Sequence, residues 1–255
     1  MAIAHDGDKP RLVLDAGTGL QRLTRELGQP FKGTILLGHL HWDHTHGLPF
    51  FAAGDNPDAE VTLGIPAQGD VDEARTGPPE AMLERFMSPP AFPITPAQLR
   101  GKWDFLRLEP GDHAFEGFDV GVREIPHKGG RTFGFRVSDA GRTLAYLSDH
   151  SPVALGDGPD GLGAYHPAAL ELASGADVLV HDAQHTIDEF AIKRDWGHSA
   201  IEYAIGLGVE AGVGKVVLFH HDPPRTDDQL DAIVAAHQNH PVEVIAAREG
   251  LLLDV

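Results

Sequence analysis

Four histidines and one aspartate lie close together in the segment LLGHLHWDHTHG, residues 36–47. The run GTILLGH (33–39), which leads into this segment, has the apolar character of a buried β-strand. A turn at the end of a strand can aim several side chains at one point, and imidazole and carboxylate groups bind zinc, manganese and iron. The pattern His-x-His-x-Asp-His therefore predicts a metal site, with an exposed histidine-rich loop as the alternative.

The composition is that of a globular protein. Apolar residues make up 42% of the 255 residues, and no stretch approaches the roughly 18 uninterrupted apolar residues that a membrane helix needs. We expect one domain over residues 1–255 and no membrane association. The opening MAIAHDGDKP has neither the basic nor the apolar region of a signal peptide, which predicts a cytoplasmic location.

Charge and cysteine content exclude several classes of function. The chain has 20 Lys and Arg against 38 Asp and Glu, a net charge of −18 that repels phosphate backbones. We therefore expect no extended nucleic-acid binding. The chain has no cysteine, which excludes disulfides, thiolate catalysis and sulfur-ligated zinc, so any metal must be held by His, Asp and Glu.

Short apolar runs alternate with Gly, Pro and Asp turns, which is typical of a layered α/β protein. The predicted strands are 11–15, 33–39, 60–65, 102–108, 118–125, 132–139, 142–149, 176–182, 215–221 and 250–255. The predicted helices are 19–27, 167–174, 186–194, 199–211 and 226–239. Ser199 or His198 is expected to cap the fourth helix, and Thr226 to begin the last.

Residues 66–101 differ from the rest of the chain. They carry many prolines together with several aromatic and methionine side chains, without sustained periodicity. A long irregular segment in a compact domain is often functional, so we interpret it as a lid-like insert; a surface loop held by its own small cluster is the alternative.

The histidine turn alone does not complete a metal site. Asp43 and His44 are adjacent and leave the backbone in different directions from His39 and His41, so two metals are simpler than one. Each would need further ligands. The chain offers His127, Asp149 and His220, each just beyond an apolar run, where sheet-based sites collect their ligands.

Taken in order, several motifs resemble the metallo-β-lactamase superfamily, in particular its phosphodiesterase branch, which includes ribonuclease Z. The motifs are LDAGTG (14–19), HLHWDH (39–44), His127 with FGF behind it, SD (148–149), HDAQ (181–184), GHSA (197–200) and LFHHDPPR (218–225). The resemblance implies an α/β fold, the αββα sandwich of two mixed β-sheets flanked by helices. Members of this branch normally open with a Gly-rich strand, whereas only ten residues precede Arg11. A lost edge strand would favour pairing with a second copy, so a homodimer is possible.

The resemblance also implies a ligand set, carried over by position. It assigns His39, His41 and His127 to one divalent metal and Asp43, His44 and His220 to a second, with Asp149 bridging the two. Zinc is the expected metal, with manganese or iron as alternatives, and no organic cofactor is expected. Asp15 matches an aspartate behind the ligand turn that orients a ligand, although it could simply turn the chain before Gly17.

Two residues are predicted to take part in the reaction. His198 matches a histidine that acts as general acid or donates to a phosphoryl oxygen, and Asp43 could hold or accept a proton from water. Among the other histidines, we expect His181 to be buried with a structural hydrogen bond, His150 to adjoin the ligands, and His185 to lie at the surface.

Hydrolysis is the reaction that a pair of divalent ions supports. The GHSA element and the His127–FGF spacing favour the phosphodiesterase branch over lactonases and thioesterases. The insert is not basic and the chain is acidic, which disfavours transfer-RNA processing. We therefore predict a small phosphodiester substrate, with a cyclic nucleotide as the leading candidate. The alternatives are another ester such as a lactone or thioester, a ribonuclease Z-like nuclease, and a non-catalytic module that binds metal or nucleotide.

Overall fold

The computed structural model describes residues 1–68, 77–158 and 160–255. The chain forms two compact units, an N-terminal unit of residues 1–109 and a C-terminal unit of residues 110–255. Each unit has its own mixed β-sheet and its own buried core. The prediction of a single domain over residues 1–255 remains a prediction.

The N-terminal unit contains a five-stranded sheet in the order β1-β2-β3-β4-β5. Its first two strands are antiparallel, and the other neighbours are parallel. The apolar side chains of β2, β3 and β4 are almost fully buried, as their continuous apolar sequences predict. The strands are β1 (Ala2–Ile3), β2 (Leu12–Leu14), β3 (Lys32–Leu36), β4 (Glu60–Pro66) and β5 (Lys102–Leu108).

The described residues of this unit form the helices α1 (Leu20–Leu27), α2 (Trp42–Thr45) and α3 (Ala81–Glu84). Helix α1 buries Leu20, Leu23 and Leu27, which share one face at spacings of three and four residues. Single 3-10 turns follow at Leu48–Phe50 and Pro96–Gln98.

The C-terminal unit contains a seven-stranded sheet in the order β12-β11-β10-β9-β8-β7-β6. Strands β9 to β12 are parallel, and β6 to β9 form an antiparallel meander. The strands are β6 (Gly111–Phe115), β7 (Phe118–Ile125), β8 (Thr132–Asp139), β9 (Arg142–Leu147), β10 (Val178–Asp182), β11 (Lys215–Phe219) and β12 (Glu243–Ala246). The carboxyl ends of β9, β10 and β11 lie at one edge of the sheet because these strands are parallel.

The helices that accompany this sheet in the described part of the unit are α4 (Pro167–Ala173), α5 (Ile187–Lys193), α6 (Ile201–Ala211) and α7 (Asp227–Ala236). Helix α4 packs on β7, β8 and β9, and α6 packs on β10 and β11. Capping boxes begin two of the helices, at Thr186 with Glu189 for α5 and at Thr226 with Gln229 for α7.

Most predicted elements are confirmed, with specific exceptions. All five predicted helices form, and every predicted strand forms except 250–255. That segment turns at Gly250, which has φ of 76°, and leaves Leu252 exposed, so it does not pair. The cap prediction for α6 was wrong, because Ala200 occupies the N-cap position without a side-chain cap. Strands β1, β6 and β12 were not predicted.

The described part of the predicted insert is packed into the N-terminal unit. Leu83 and Met87 are almost fully buried, and Phe86 packs against the same core. Residues 69–76 lie outside the described residues, so the lid-like role of 66–101 remains a prediction. Strand β4 continues through Pro66, so the irregular part begins after that residue.

The α/β fold class with two mixed sheets and flanking helices is confirmed. Among the helices of the described residues, none has the length and apolar character needed to cross a membrane.

Candidate metal centre

The N-terminal unit brings the four predicted ligands of the histidine turn together. The turn begins beyond the end of β3 and continues through α2, which carries Asp43 and His44. The ring centroid of His39 lies 4.4 Å from that of His41 and 4.3 Å from that of His44. Oδ2 of Asp43 lies 3.4 Å from Nε2 of His44. Three imidazoles and one carboxylate thus share one small region, as the sequence predicts.

Asp15 orients His44 from behind. Its Oδ2 accepts a hydrogen bond from Nδ1 of His44 at 2.9 Å, and its Oδ1 accepts one from the Gly38 backbone N–H at 2.7 Å. Burial raises the pKa of Asp15, but the charge and hydrogen bond of His44 outweigh that effect and lower it to about 2. When the His44 ring is neutral, its proton lies on Nδ1 towards Asp15, and the lone pair of Nε2 is then available to a metal.

Backbone contacts hold the turn against the loop that follows β2. The Ala16 N–H donates to the His44 carbonyl oxygen, and the Gly47 N–H donates to the Ala16 carbonyl oxygen, both at 2.8 Å. A Cβ atom on Gly47 would overlap the carbonyl oxygen of Gly17, and one on Gly17 would overlap that of Asp43. The two glycines are therefore required by close approach of the two segments.

In the C-terminal unit, Asp149 lies between two predicted ligands. Its Oδ2 is 3.5 Å from Nε2 of His127 and 3.5 Å from Nε2 of His220. Asp149 follows β9 and His220 follows β11, so parallel strands bring both residues to the same edge of the sheet. His220 has φ of 53°, in the left-handed region, where a non-glycine residue is strained and often functional.

Two further contacts fix the histidine rings beside Asp149. Nδ1 of His127 donates to the Gly197 carbonyl oxygen at 2.6 Å, which leaves its Nε2 facing Asp149. The side-chain amide of Gln184 lies 3.0 Å from Nδ1 of His220 and restrains that ring. These contacts hold Nε2 of His127 and of His220 near Oδ2 of Asp149, the residue that the sequence predicts to bridge two metals.

His198 forms a pair with a buried carboxylate. Its Nδ1 donates to Oδ2 of Asp182 at 2.9 Å, and its ring stacks on that of His220 with centroids 4.8 Å apart. Asp182 is 0% exposed and also accepts the backbone N–H groups of His150 and Gln184. Because Nδ1 is committed to Asp182, Nε2 is the atom of His198 that can exchange a proton. One ligand atom from each of Asp149, His198 and His220 lies within 4.8 Å of the others.

The sequence did not identify Asp182 as the partner of His198. The residue stands inside the quoted HDAQ motif at the end of β10, beside the strands that carry Asp149 and His220. The position of Asp182 at a strand end could have indicated a place in the site, but a carboxylate at a strand end has several possible partners. Only the fold shows that its partner is His198.

Three histidines outside the predicted ligand set are buried. His181 is 0% exposed, and its Nδ1 donates to the Asp182 carbonyl oxygen at 2.6 Å, which confirms its predicted structural role. Nδ1 of His150 lies 3.0 Å from Nε2 of His181. Burial lowers the pKa of both rings, so both are neutral. The surface location predicted for His185 was wrong, because this residue is also 0% exposed.

His185 belongs to a second acidic group, with Glu189 and Asp222, whose ligand atoms lie within 4.8 Å of one another. Both carboxylates already pair with cations. Arg225 donates to Glu189 at 2.6 Å, and Lys193 donates to Asp222 at 2.6 Å. Arg225 also donates to the backbone carbonyl oxygen of Gln184 at 3.0 Å. These ion pairs hold the segment after β11 and do not require a metal.

Comparison with known proteins decides the family. The sequence model of the beta-lactamase superfamily domain matches residues 10–221, most of the chain. The chain belongs to this superfamily. Ribonuclease Z of Lacticaseibacillus casei (strain BL23) is 27% identical over 249 aligned residues, which cover 82% of this chain and 74% of that protein.

Two solved structures support the superfamily fold. The metallo-beta-lactamase fold protein YhfI from Bacillus subtilis aligns with a TM-score of 0.70 at 19% identity, covering 98% of this chain and 89% of YhfI. A diphosphatase of the PhnP family aligns with a TM-score of 0.66 at 18% identity, covering 99% of this chain and 82% of that chain. The predicted resemblance to the ribonuclease Z-like branch is confirmed, and the chain is a hydrolase of the metallo-β-lactamase fold.

Proposed function

We propose that this chain is a dinuclear metal-dependent phosphodiesterase that hydrolyses a small phosphodiester, with a cyclic nucleotide as the leading candidate. The observation that carries the proposal is the position of Asp149, whose Oδ2 lies 3.5 Å from Nε2 of two separate imidazoles, beside the His198–Asp182 pair. A carboxylate between two imidazoles suits a bridging ligand, and a third, oriented imidazole suits proton transfer.

The donor set fits a pair of divalent ions. It consists of imidazole and carboxylate groups, which zinc, manganese and iron accept in the absence of thiols. One ion would be held by His39, His41 and His127, and the other by Asp43, His44 and His220, with Asp149 shared. When bound, the ions would neutralise charge on the phosphoryl oxygens and activate water for attack. Within each unit, Asp15, Gly197 and Gln184 preset the histidine rings for this role.

The chain's own residues supply the proton steps. His198 would donate a proton from Nε2 to the leaving oxygen, since Asp182 holds Nδ1 and sets the ring's orientation. Asp43 would accept the proton of the attacking water, and its carboxylate is well exposed on α2. Asp182 would act as a positioning residue that holds Nδ1 of His198 and so fixes the direction of its Nε2.

Net charge favours a small substrate. With a net charge of −18, the protein repels a polyanion more strongly than it repels a mononucleotide with a single phosphodiester. A ribonuclease Z-like nuclease is the second candidate, and the relative named ribonuclease Z, at 27% identity, supports it about equally. The similarity to the diphosphatase of the PhnP family is a similarity of fold, so it does not distinguish the small-molecule phosphodiesterase from the nuclease.

The first experiment measures metal content and turnover together. Purified protein is stripped with chelator, reloaded with zinc or manganese, and assayed on bis(4-nitrophenyl) phosphate, a cyclic nucleotide, a transfer-RNA precursor, a lactone and a thioester. We expect about two metals per chain and turnover of the small phosphodiesters. Preferred turnover of the precursor would favour the nuclease, and acyl turnover another esterase. A fully loaded protein that binds nucleotide but hydrolyses nothing would be a binding module.

Variants then test the proton steps. His198→Ala should lower kcat by about 10²–10⁴-fold with metal content retained, as loss of a general acid does. Asp182→Asn should lower kcat by about 10–100-fold with little change in KM, because it disturbs the ring's orientation. Asp188→Asn, on the exposed first turn of α5, is the matched control. Unchanged turnover in His198→Ala would remove this residue from the mechanism.

A further inference from the structure

Three aromatic rings form a continuous row beside the histidine turn. The indole of Trp42 stacks on the imidazole of His46, with centroids 5.2 Å apart and planes 22° from parallel. The His46 ring in turn lies 5.8 Å from that of Phe86. We refer to Trp42, His46 and Phe86 as the aromatic shelf. Its members come from α2, the turn after it, and the segment after α3, all within the N-terminal unit.

Helical periodicity places the shelf next to the predicted ligands. Trp42 and His46 are four residues apart and therefore share one face of the turn. Asp43 follows Trp42 directly, about 100° further around the helix axis, and His44 points to the buried side. A molecule in contact with Asp43 would therefore have the shelf as its neighbour.

The far end of the shelf is anchored. Leu83 and Met87 are almost fully buried on either side of Phe86, and Phe86 itself packs against the core of the N-terminal unit. The Ser88 hydroxyl donates to the Glu84 carbonyl oxygen at 2.6 Å and closes the turn between them. Phe86 is thus held in place by its own segment and provides a fixed wall for His46.

Packing does not account for the other end of the shelf. Trp42 is 66% exposed, although the residues that secure the turn in the core, such as Leu48 and Phe51, are almost fully buried. An indole exposed at this position, between two predicted metal ligands, leaves apolar surface in contact with water, which is unfavourable, and contributes nothing to the core. Aromatic faces of this kind stack planar rings, and the stacking tolerates differences between bases.

We propose that the aromatic shelf binds a planar ring carried by the phosphodiester substrate, and so selects esters of a nucleobase-bearing or aryl group over purely aliphatic ones. The inference rests on the proposed phosphodiesterase function and names the substrate class of the same site. The ring would lie against the exposed indole of Trp42 while the phosphodiester reaches the ligands that flank it. The shelf is a specificity determinant and takes no part in bond cleavage.

A matched pair of substrates isolates the ring. One is adenosine 3′,5′-cyclic phosphate, and the other is the same cyclic ribose phosphate with a methoxy group in place of the base. Wild-type protein should show a higher kcat/KM for the first. Trp42→Leu should lower that kcat/KM by about 5- to 100-fold, mainly through KM, and leave the methoxy compound nearly unchanged. Bis(4-nitrophenyl) phosphate is the third substrate. It carries aryl rings but no base, so it separates a preference for a nucleobase from a preference for any aryl ring.

Two other variants keep the test decisive. Phe86→Leu lies outside the ligand turn and should show the same selective loss to a smaller extent, even if Trp42→Leu disturbs metal content. Phe115→Leu is the matched control, because Phe115 also stacks on a histidine, His113, but on β6, which carries no predicted ligand. It should leave the ratio of the two substrates unchanged.

Binding provides a readout that does not depend on turnover. The chain has three tryptophans, so Trp103→Phe with Trp196→Phe leaves Trp42 as the only indole. In that background with His198→Ala, adenosine cyclic phosphate should quench the fluorescence saturably, and the methoxy compound should not. Equal turnover of both substrates by the wild type, or absence of quenching, would overturn the shelf proposal while leaving phosphodiesterase function intact. Failure to hydrolyse any phosphodiester would overturn the proposed function itself.

Discussion

At the scale of single residues, two buried carboxylates set the orientation of the histidines. Asp15 holds His44 in the N-terminal unit, and Asp182 holds His198 in the C-terminal unit. In each pair the carboxylate accepts from Nδ1 and leaves Nε2 for metal or proton chemistry. The candidate ligands could be predicted from the sequence because imidazole and carboxylate groups at strand ends form a recognisable pattern. The Asp182–His198 contact joins residues 16 positions apart and depends on how β10 and α6 pack.

One ion pair leads to a pH-dependent prediction. Arg225 donates to Glu189, and its hydrogen bonds, with those from Thr186, lower the pKa of that carboxyl to about 2. A lowered pKa means that the stabilisation is present above the usual value near 4.5 and is lost as the pH falls toward 2. Glu189→Gln should therefore lower the free energy of unfolding by about 1 kcal/mol at pH 7, a value kept small by partial exposure.

The same difference should shrink as the pH falls. Urea unfolding of wild type and Glu189→Gln at pH 7, 4 and 3 measures it. Glu210→Gln, at an exposed position near the end of α6, serves as the control. A difference that stays constant between pH 7 and pH 3 would contradict the assigned role of the Arg225 contact.

At the scale of elements, sequence periodicity identified helices α1 and α4 to α7 and most strands, but not the four-residue helices α2 and α3. Helices α1 and α4 to α7 have either apolar spacing or a clear cap, and the strands are apolar runs bounded by turns. Strand β1 has only two residues, and β6 contains Asp, His and Gly, so neither has a usable pattern. Segment 250–255 has an apolar pattern but no neighbouring strand to pair with in the described residues, which shows that pattern alone does not make a strand.

The start of α7 provides a test of a single cap. The Thr226 hydroxyl accepts the Gln229 backbone N–H, and the Gln229 side chain accepts the Thr226 backbone N–H. Thr226→Ala should lower the free energy of unfolding by about 1 kcal/mol, because one backbone donor loses its partner. Thr226→Ser keeps the hydroxyl and should have little effect. Chemical denaturation measures both, and equal stability of the alanine variant would show that the cap contributes little here.

At the scale of the whole molecule, the net charge of −18 governs which anions approach. Repulsion slows the encounter with a polyanion, and salt screens that repulsion over a Debye length of about 10 Å at 0.1 M. For an oligonucleotide substrate, kcat/KM should therefore rise as sodium chloride is increased from about 50 to 200 mM, and for a cyclic mononucleotide it should change less. A fall in kcat/KM would indicate a local basic surface and favour the ribonuclease Z-like alternative.

The contact between Gly17 and Gly47 has a consequence for redesign. The histidine turn packs on the neighbouring loop through main-chain contacts. Its position therefore does not depend on the side chains that point outward. Trp42 is one of those outward side chains. Swapping it for other residues should leave the imidazole frame undisturbed. A library confined to that position offers a direct route to catalysts with new ester preferences.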